Sequence, residues 1–168
     1  IHDCTFVDVG WAISAFQMQN GALNLRIYNN HIHDYCDGIS GGASSYTGSS
    51  DVHIYGNHLT GGGKWNSTNN NVCHIDGMHF FDSSGVGQAG DYHITGVNVY
   101  NNIFDGSDWA GAGTAHIYIE TIGASGWNFF NNVFIAQSGY RISNGMVGGS
   151  TNSNYYNNTM IGGGPASD

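Results

Sequence analysis

A nine-residue motif recurs five times along this chain and constrains the fold more than any other feature. It reads RIYNNHIHD at 26–34, HIYGNHLTG at 53–61, NVYNNIFDG at 98–106, NFFNNVFIA at 128–136 and NYYNNTMIG at 154–162. The second Asn of each copy follows the previous one by 27, 45, 30 and 26 residues. Such periods are typical of repeat architectures, in which one unit cannot bury its own apolar face. We therefore expect the copies to stack on one another.

Two positions of the motif are apolar in every copy. The first column is Ile27, Ile54, Val99, Phe129 and Tyr155, and the second is Ile32, Leu59, Phe104, Phe134 and Met160. Because side chains alternate along a strand, both columns are expected to line the interior. The Asn pair lies between them, and Gly56 replaces its first member in one copy. Asn and Gly accept positive φ, so the pair predicts a sharp corner, with amides that hydrogen-bond from copy to copy.

A second element recurs after each corner and predicts a second stack of strands. It reads GWAISAF at 10–16, CDGISGG at 36–42, IDGMHFF at 75–81, AHIYIET at 115–121 and YRISNGM at 140–146. The Gly/Asn-rich segment 61–73 between corner and strand is interpreted as an inserted loop. The chain holds one Glu, one Lys and two Arg, residues that normally build helix surfaces, so we expect little or no α-helix.

The I-x-N-N-x-I and D-G-I phrases resemble the generic repeats of the pectate-lyase-like superfamily. The resemblance implies an all-β fold: a right-handed parallel β-helix, or solenoid, of about five to six coils, with residues 1–168 as one domain. That superfamily includes polysaccharide lyases, glycoside hydrolases, uronan epimerases, phage tailspikes and adhesins, so fold does not fix function within it. The chain opens inside a coil, since IHDC matches IHDY at 32–35, and GGGPASD at its end offers no capping helix. We expect either a fragment of a longer solenoid, which we favour, or open ends that self-associate.

The charge and the apolar runs of the chain exclude two classes of partner. Twelve acids against three bases give a net charge of -9, which leaves no basic patch for nucleic acid. The chain lacks the run of about 18 apolar residues that membrane insertion requires.

Three cysteines do not make a disulfide framework. Cys4 and Cys36 are expected either to be bridged to each other or to remain buried free thiols.

Asp37 and Asp76 precede Gly in matched phrases and should lie close together in adjacent coils. Two such carboxylates suit acid–base work on a glycosidic bond, or a Ca²⁺ site for which Asp82 is a third candidate ligand. The alternative is that Asp-Gly marks only a turn. The candidate catalytic set is Asp37, Asp76, His79, Tyr118, Glu120 and Arg141. In it, His79 or Tyr118 carries a proton, and Arg141 binds a substrate carboxylate.

Aromatic residues are candidates for binding sugar rings. Tyr28, Tyr55 and Tyr100 share an outward phase, and Trp65 and Trp109 lie near loops. Such rings offer apolar faces to a sugar, although ladder stacking that merely stabilises the outer surface is an equal alternative.

The sequence therefore predicts a secreted, extracellular protein that acts on or binds a polysaccharide, as a lyase or a glycoside hydrolase if it is an enzyme. Ca²⁺ is the one cofactor suggested. The scarcity of cations to neutralise a uronate weakens the lyase interpretation. The alternatives are a structural or adhesive subunit of an extracellular filament, assembled by end-to-end stacking of coils, and a non-catalytic sugar-binding module.

Overall fold

The computed structural model describes residues 1–18, 23–43, 49–70, 73–82, 95–109, 113–119, 125–136, 144–146 and 152–162. These residues form fourteen strands and one helix. The strands are β1 (Thr5–Met18), β2 (Leu23–Tyr28), β3 (His31–Ala43), β4 (Ser49–Tyr55), β5 (His58–Thr60), β6 (Ile75–Asp82), β7 (Thr95–Tyr100), β8 (Ile103–Gly106), β9 (Gly113–Ile119), β10 (Asn128–Phe130), β11 (Val133–Ala136), β12 (Asn144–Met146), β13 (Asn154–Tyr156) and β14 (Thr159–Ile161), and helix α1 is Gly62–Thr68.

The strands pair in parallel in two sheets. The smaller sheet has the order β13-β10-β7-β4-β2. The larger, nine-stranded sheet has the order β12-β9-β6-β3-β5-β8-β11-β14, with β1 paired to β3. The first part of β3, from His31, pairs with β5, and its later part, from Asp37, pairs with β6. The strand β3 therefore joins two groups of strands into one curved sheet.

The predicted fold class is wrong. The sequence predicted an all-β, right-handed parallel β-helix of five to six coils, with little or no helix. The described residues instead form two parallel sheets, one of them a curled half-barrel, together with a short helix, which is an α/β-type arrangement. The physical reason lies in β1 and β3. These strands are 14 and 13 residues long and run through the position where the sequence predicted separate short strands.

The stacking of equivalent repeat positions is confirmed. Ile27 pairs with Ile54, which pairs with Val99, and the column continues through Phe129 to Tyr155. The second column runs in register from Ile32 to Met160 in the same way. The first four members of each column are fully buried, whereas Tyr155 and Met160 in the last copy are exposed. The core therefore follows the two apolar columns.

The Asn corner is also confirmed. The first residue of each pair has positive φ: Asn29, Gly56, Asn101, Asn131 and Asn157. The second Asn of each pair is buried in the first four copies and forms an amide ladder. In that ladder, the Nδ2 atoms of Asn30, Asn57, Asn102 and Asn132 each donate to the Oδ1 atom of the next Asn at 2.9–3.0 Å. Each buried amide is thus paired, as burial of a polar group requires.

The predicted loop at 61–73 is replaced in part by helix α1. Gly62 and Gly63 lie against core and backbone atoms, since a Cβ atom there would meet Ile75 and the Asp108 carbonyl. Asn66 is buried, and its Oδ1 atom accepts a hydrogen bond from the Cys73 amide at 3.0 Å. Contacts with its surroundings therefore stabilise a segment of low helix propensity. Among the described residues, no helix is long and apolar enough to cross a membrane.

Candidate functional site

The two Asp-Gly phrases lie side by side on neighbouring strands. Asp37 in β3 is in register with Asp76 in β6. A Cβ atom on Gly38 would meet Leu59, and one on Gly77 would meet Phe104. Those two glycine positions therefore face the core, and the Asp side chains beside them are buried as well. Glycine is required where the strands approach these core side chains, which explains the Asp-Gly phrase better than a turn does.

His79 completes a cluster with the two carboxylates. Its Nδ1 atom lies 3.5 Å from Asp76 Oδ2 and 4.0 Å from Asp37 Oδ1. Side-chain exposure is 18% for His79, 8% for Asp37 and 2% for Asp76. His79 is thus the member of the cluster that solvent or a substrate reaches most readily, with two buried carboxylates on one side of its ring.

The two carboxylates have different environments. Asp76 Oδ1 accepts a hydrogen bond from the Ala115 amide at 3.0 Å, which favours its charged form. Asp37 Oδ1 is buried and has no hydrogen-bond partner among the described residues. Burial raises the pKa of Asp37 to about 6, against the smaller, lowering effects of His79 and His74. The pair therefore joins a carboxylate held by a backbone donor to one that takes up a proton near pH 6.

The remaining predicted catalytic residues fall in three groups. Tyr118 in β9 is in register with His79, and the ring centroids are 5.0 Å apart, so the structure brings it to the cluster. Glu120 and Arg141 lie outside the described residues. Asp82, the third predicted metal ligand, ends β6 in register with Ala43, and its side chain is also outside the described set.

The predicted sugar-binding tyrosines form part of a continuous stack of rings. The stack runs through His2, Tyr28, Tyr55, Tyr100, Phe130 and Tyr156, with centroids 4.6–5.1 Å apart and interplanar angles of 2–11°. The inner rings cover one another's faces and present their edges outward. Sugar rings pack on aromatic faces, so this geometry favours the stabilising role over the binding role.

The two predicted sugar-binding tryptophans differ in position. Trp109 is buried, and its ring centroid lies 4.5 Å from that of His116, so it belongs to the core. Trp65 lies in α1 and lines a surface cavity. Trp11 in β1 is 54% exposed and in register with Asp37.

Neither alternative for Cys4 and Cys36, a bridge between the two or buried free thiols, is correct. Cys36 is bridged to Cys73, with Cα atoms 5.8 Å apart, and Cys4 is an exposed free thiol. The bridge ties the residue before Asp37 to the segment that enters β6. A sequence signal for it existed, since Cys36 and Cys73 each shortly precede an Asp-Gly phrase and those phrases are in register.

The same three side chains could hold a metal ion. One ligand atom from each of Asp37, Asp76 and His79 lies within 4.8 Å of the other two. Two carboxylate oxygens and an imidazole nitrogen form a donor set that suits Zn²⁺ or Mn²⁺ better than Ca²⁺, which takes six to eight oxygen ligands.

No protein-family model, curated protein or solved structure matches this chain.

Proposed function

We propose that this protein hydrolyses a polysaccharide by acid–base catalysis, with His79 as the general base. The observation that carries the proposal is the position of His79, partly exposed and held beside two buried carboxylates. The same relation between imidazole and carboxylate lets a His side chain take a proton from a nucleophile and be stabilised once charged. Asp37 and Asp76 act through His79 and are positioning residues.

The proposed proton path follows from the hydrogen-bonding groups of the cluster. An Nδ1–H group on His79 donates toward Asp76 Oδ2, which leaves Nε2 in the basic form needed to take a proton from an attacking water. The Ala115 amide keeps Asp76 in place. Tyr118, beside the imidazole, is the proposed donor to the departing sugar oxygen.

The substrate class rests on what borders the cluster. Trp11 is exposed in register with Asp37 and provides an apolar ring next to the reacting groups. Arg26 and Lys64 are each paired with a carboxylate, Asp51 and Asp34 respectively. Within the described part of the chain, these pairs leave no unpaired Arg or Lys for a uronate carboxylate, which favours hydrolysis of a neutral polymer over elimination from an acidic one.

The test compares His79→Gln with the control His58→Gln, which alters a half-buried His in β5, outside the cluster. Release of reducing ends from neutral and acidic polysaccharides is measured for both variants and the wild type. We expect His79→Gln to lower kcat by at least about 100-fold on a neutral polymer, and His58→Gln to retain it. Full activity of His79→Gln, or no cleavage by the wild type, would reject the proposal. Unsaturated, ultraviolet-absorbing products would assign elimination instead.

A divalent-metal centre is the second candidate function of this cluster. It is favoured by the buried Asp37 Oδ1 atom, which has no hydrogen-bond partner in the described part of the chain and lies 4.0 Å from His79 Nδ1. Calorimetric titration with Zn²⁺, Mn²⁺ and Ca²⁺ tests it on the wild type and Asp37→Asn. Stoichiometric binding of a transition metal, lost in Asp37→Asn, would replace the metal-free mechanism. The absence of binding would remove this candidate.

A filament-forming role remains the alternative, and the outer strands are where it would act. In β13 and β14, Tyr156 and Ile161 are about half exposed at the sheet edges. Exposed edges of this kind are templates for association. However, Thr5 is in register with His31, so Cys4 stands beside Asn30 at the position that a second Asn has in the five motif copies, and its amide donates to Asn30 Oδ1. A second copy stacked end to end would not continue the amide ladder from Asn158, so we favour the enzymatic role. Electron microscopy that shows fibres of the purified protein would reverse this preference.

We also propose that the protein acts outside the cell. The support is the Cys36–Cys73 disulfide, because structural disulfides persist in oxidising compartments and are rare in the cytosol.

A further inference from the structure

A cavity of about 280 Å³ lies between α1 and the strands β1 and β3. It is lined by Val7, Asp8, Asp34, Lys64, Trp65 and Thr68. Drug-sized ligands occupy about 300–1,000 Å³, so this space fits a single ring and not an extended chain. The lining combines apolar surface from Trp65 and Val7 with oxygen atoms from side chains on three elements.

The charges in the cavity select the type of ligand. Lys64 Nζ lies 2.8 Å from Asp34 Oδ2, and this contact lowers the pKa of Asp34 and raises that of Lys64. The positive charge of Lys64 is therefore balanced by the negative charge of Asp34. With Asp8 added, the lining carries a net negative charge, which repels a carboxylate or a phosphate. Carboxylate oxygens accept hydrogen bonds from hydroxyl groups, and an aromatic ring packs on the apolar face of a sugar.

The cavity also lies near the cluster of Asp37, Asp76 and His79, because β3 contributes a residue to each. Asp34 and Asp37 are three residues apart on β3, a separation of at most about 11 Å for an extended chain. Between them in space, a Cβ atom on Gly10 would lie 3.8 Å from Trp65, and the next residue is Trp11, which is in register with Asp37. Trp65 of α1 thus lies against β1 one residue before Trp11, and Trp11 is in register with Asp37 of the cluster.

We propose that this cavity binds one neutral pyranose ring of a polysaccharide whose next units reach His79. This inference rests on the proposed function for the polymer, but binding of a single ring does not require turnover. Asp8 and Asp34 accept hydrogen bonds from ring hydroxyls, and Trp65 packs against the sugar. The cavity excludes uronates by charge.

The test uses the His79→Gln variant, so that binding is measured without catalysis. Neutral methyl glycosides and methyl glucuronide are the probes, and saturation-transfer NMR with titration gives their dissociation constants. Trp65→Ala and Asp8→Asn alter the cavity in this background. The control is Tyr156→Ala, which removes an exposed aromatic ring in β13 that does not line the cavity.

We expect a neutral glycoside to bind, with the dissociation constant raised about tenfold by Trp65→Ala, equivalent to the loss of one aromatic contact. Asp8→Asn is expected to raise it several-fold without touching the helix, which covers the case in which Trp65→Ala disturbs α1. Tyr156→Ala should leave the dissociation constant unchanged. Absent binding, a preference for the glucuronide, or equal effects of the cavity variants and the control would overturn the inference. Sugar binding without cleavage by the wild type would reject the proposed function alone.

Discussion

Replacing Asp37 by Asn should change how stability depends on pH, because burial raises the pKa of this carboxyl. Its pKa is about 6 in the folded protein and 3.8 without burial. Between these values, the folded state holds a proton that the unfolded state has lost. The free energy of unfolding contributed by Asp37 is therefore fully present below pH 3.8 and is lost as pH rises through 6. About two pKa units correspond to about 3 kcal/mol.

His116 produces the opposite trend in an overlapping range. Burial lowers its pKa from 6.5 to about 4, so the unfolded state holds the extra proton and stability rises with pH between 4 and 6.5. The wild type should consequently show a flattened profile. The quantity to measure is the difference between wild type and Asp37→Asn, in which the contribution of His116 cancels.

Urea denaturation at half-unit steps from pH 3.5 to 7.5 measures that difference. We expect Asp37→Asn to gain about 3 kcal/mol relative to the wild type as pH rises from 4 to 7, since an amide cannot ionise. The control is Asp51→Asn, an exposed carboxyl whose pKa the Arg26 contact lowers. Because this pKa is lowered from 3.8, the difference in stability between Asp51→Asn and the wild type should change with pH only below about pH 4. A flat difference for Asp37→Asn across this range would refute the assigned burial and charge.

Three further predictions concern stability. Asn102→Ala should cost about 3–5 kcal/mol in urea unfolding, because it removes four hydrogen bonds of a buried amide and leaves its partners unpaired, whereas an unchanged unfolding midpoint would contradict the ladder. Replacing both Cys36 and Cys73 by Ser opens a link across a 37-residue separation and should cost about 4 kcal/mol. Alkylation before and after reduction should add one label and then three, and any other count would contradict the bridge. His116→Gln should remove the rising contribution and leave the opposing one of Asp37, so its stability should fall between pH 4 and 6.5, and a profile as flat as that of the wild type would contradict the assigned burial of His116.

The repeat positions could be predicted from sequence because stacking demands the same residue type at each level. The alternation of side chains alone assigns Ile27 and Ile32 to apolar columns. The tolerance of Asn for positive φ alone predicts the corner at Asn29. The sheet organisation could not be predicted this way. Spacing shows where strands recur, but it does not show that β3 continues without a break from His31 through Asp37. Whether two groups of strands belong to one sheet depends on hydrogen bonds between strands that are distant in sequence.

The candidate site was partly predictable for a similar reason. Asp37 and Asp76 each begin an Asp-Gly phrase, and His79 follows Asp76 by three residues. Aligning the two phrases in neighbouring strands therefore brings the three residues together. The cavity at Trp65 was not predictable, because it depends on α1. The sequence GGKWNST has few helix-forming residues, and its helical form is held by buried contacts such as those of Asn66.

The central claim is that Asp37, Asp76 and His79 form one coupled proton-binding unit. The most direct measurement is an NMR titration of the Asp37 side-chain carboxyl carbon in the wild type and in His79→Gln. We expect the wild-type carboxyl to titrate near pH 6. Its pKa should rise further in His79→Gln, because the imidazole is the largest lowering influence on it. An Asp37 pKa near 3.8, or one that is the same in both proteins, would contradict the claim.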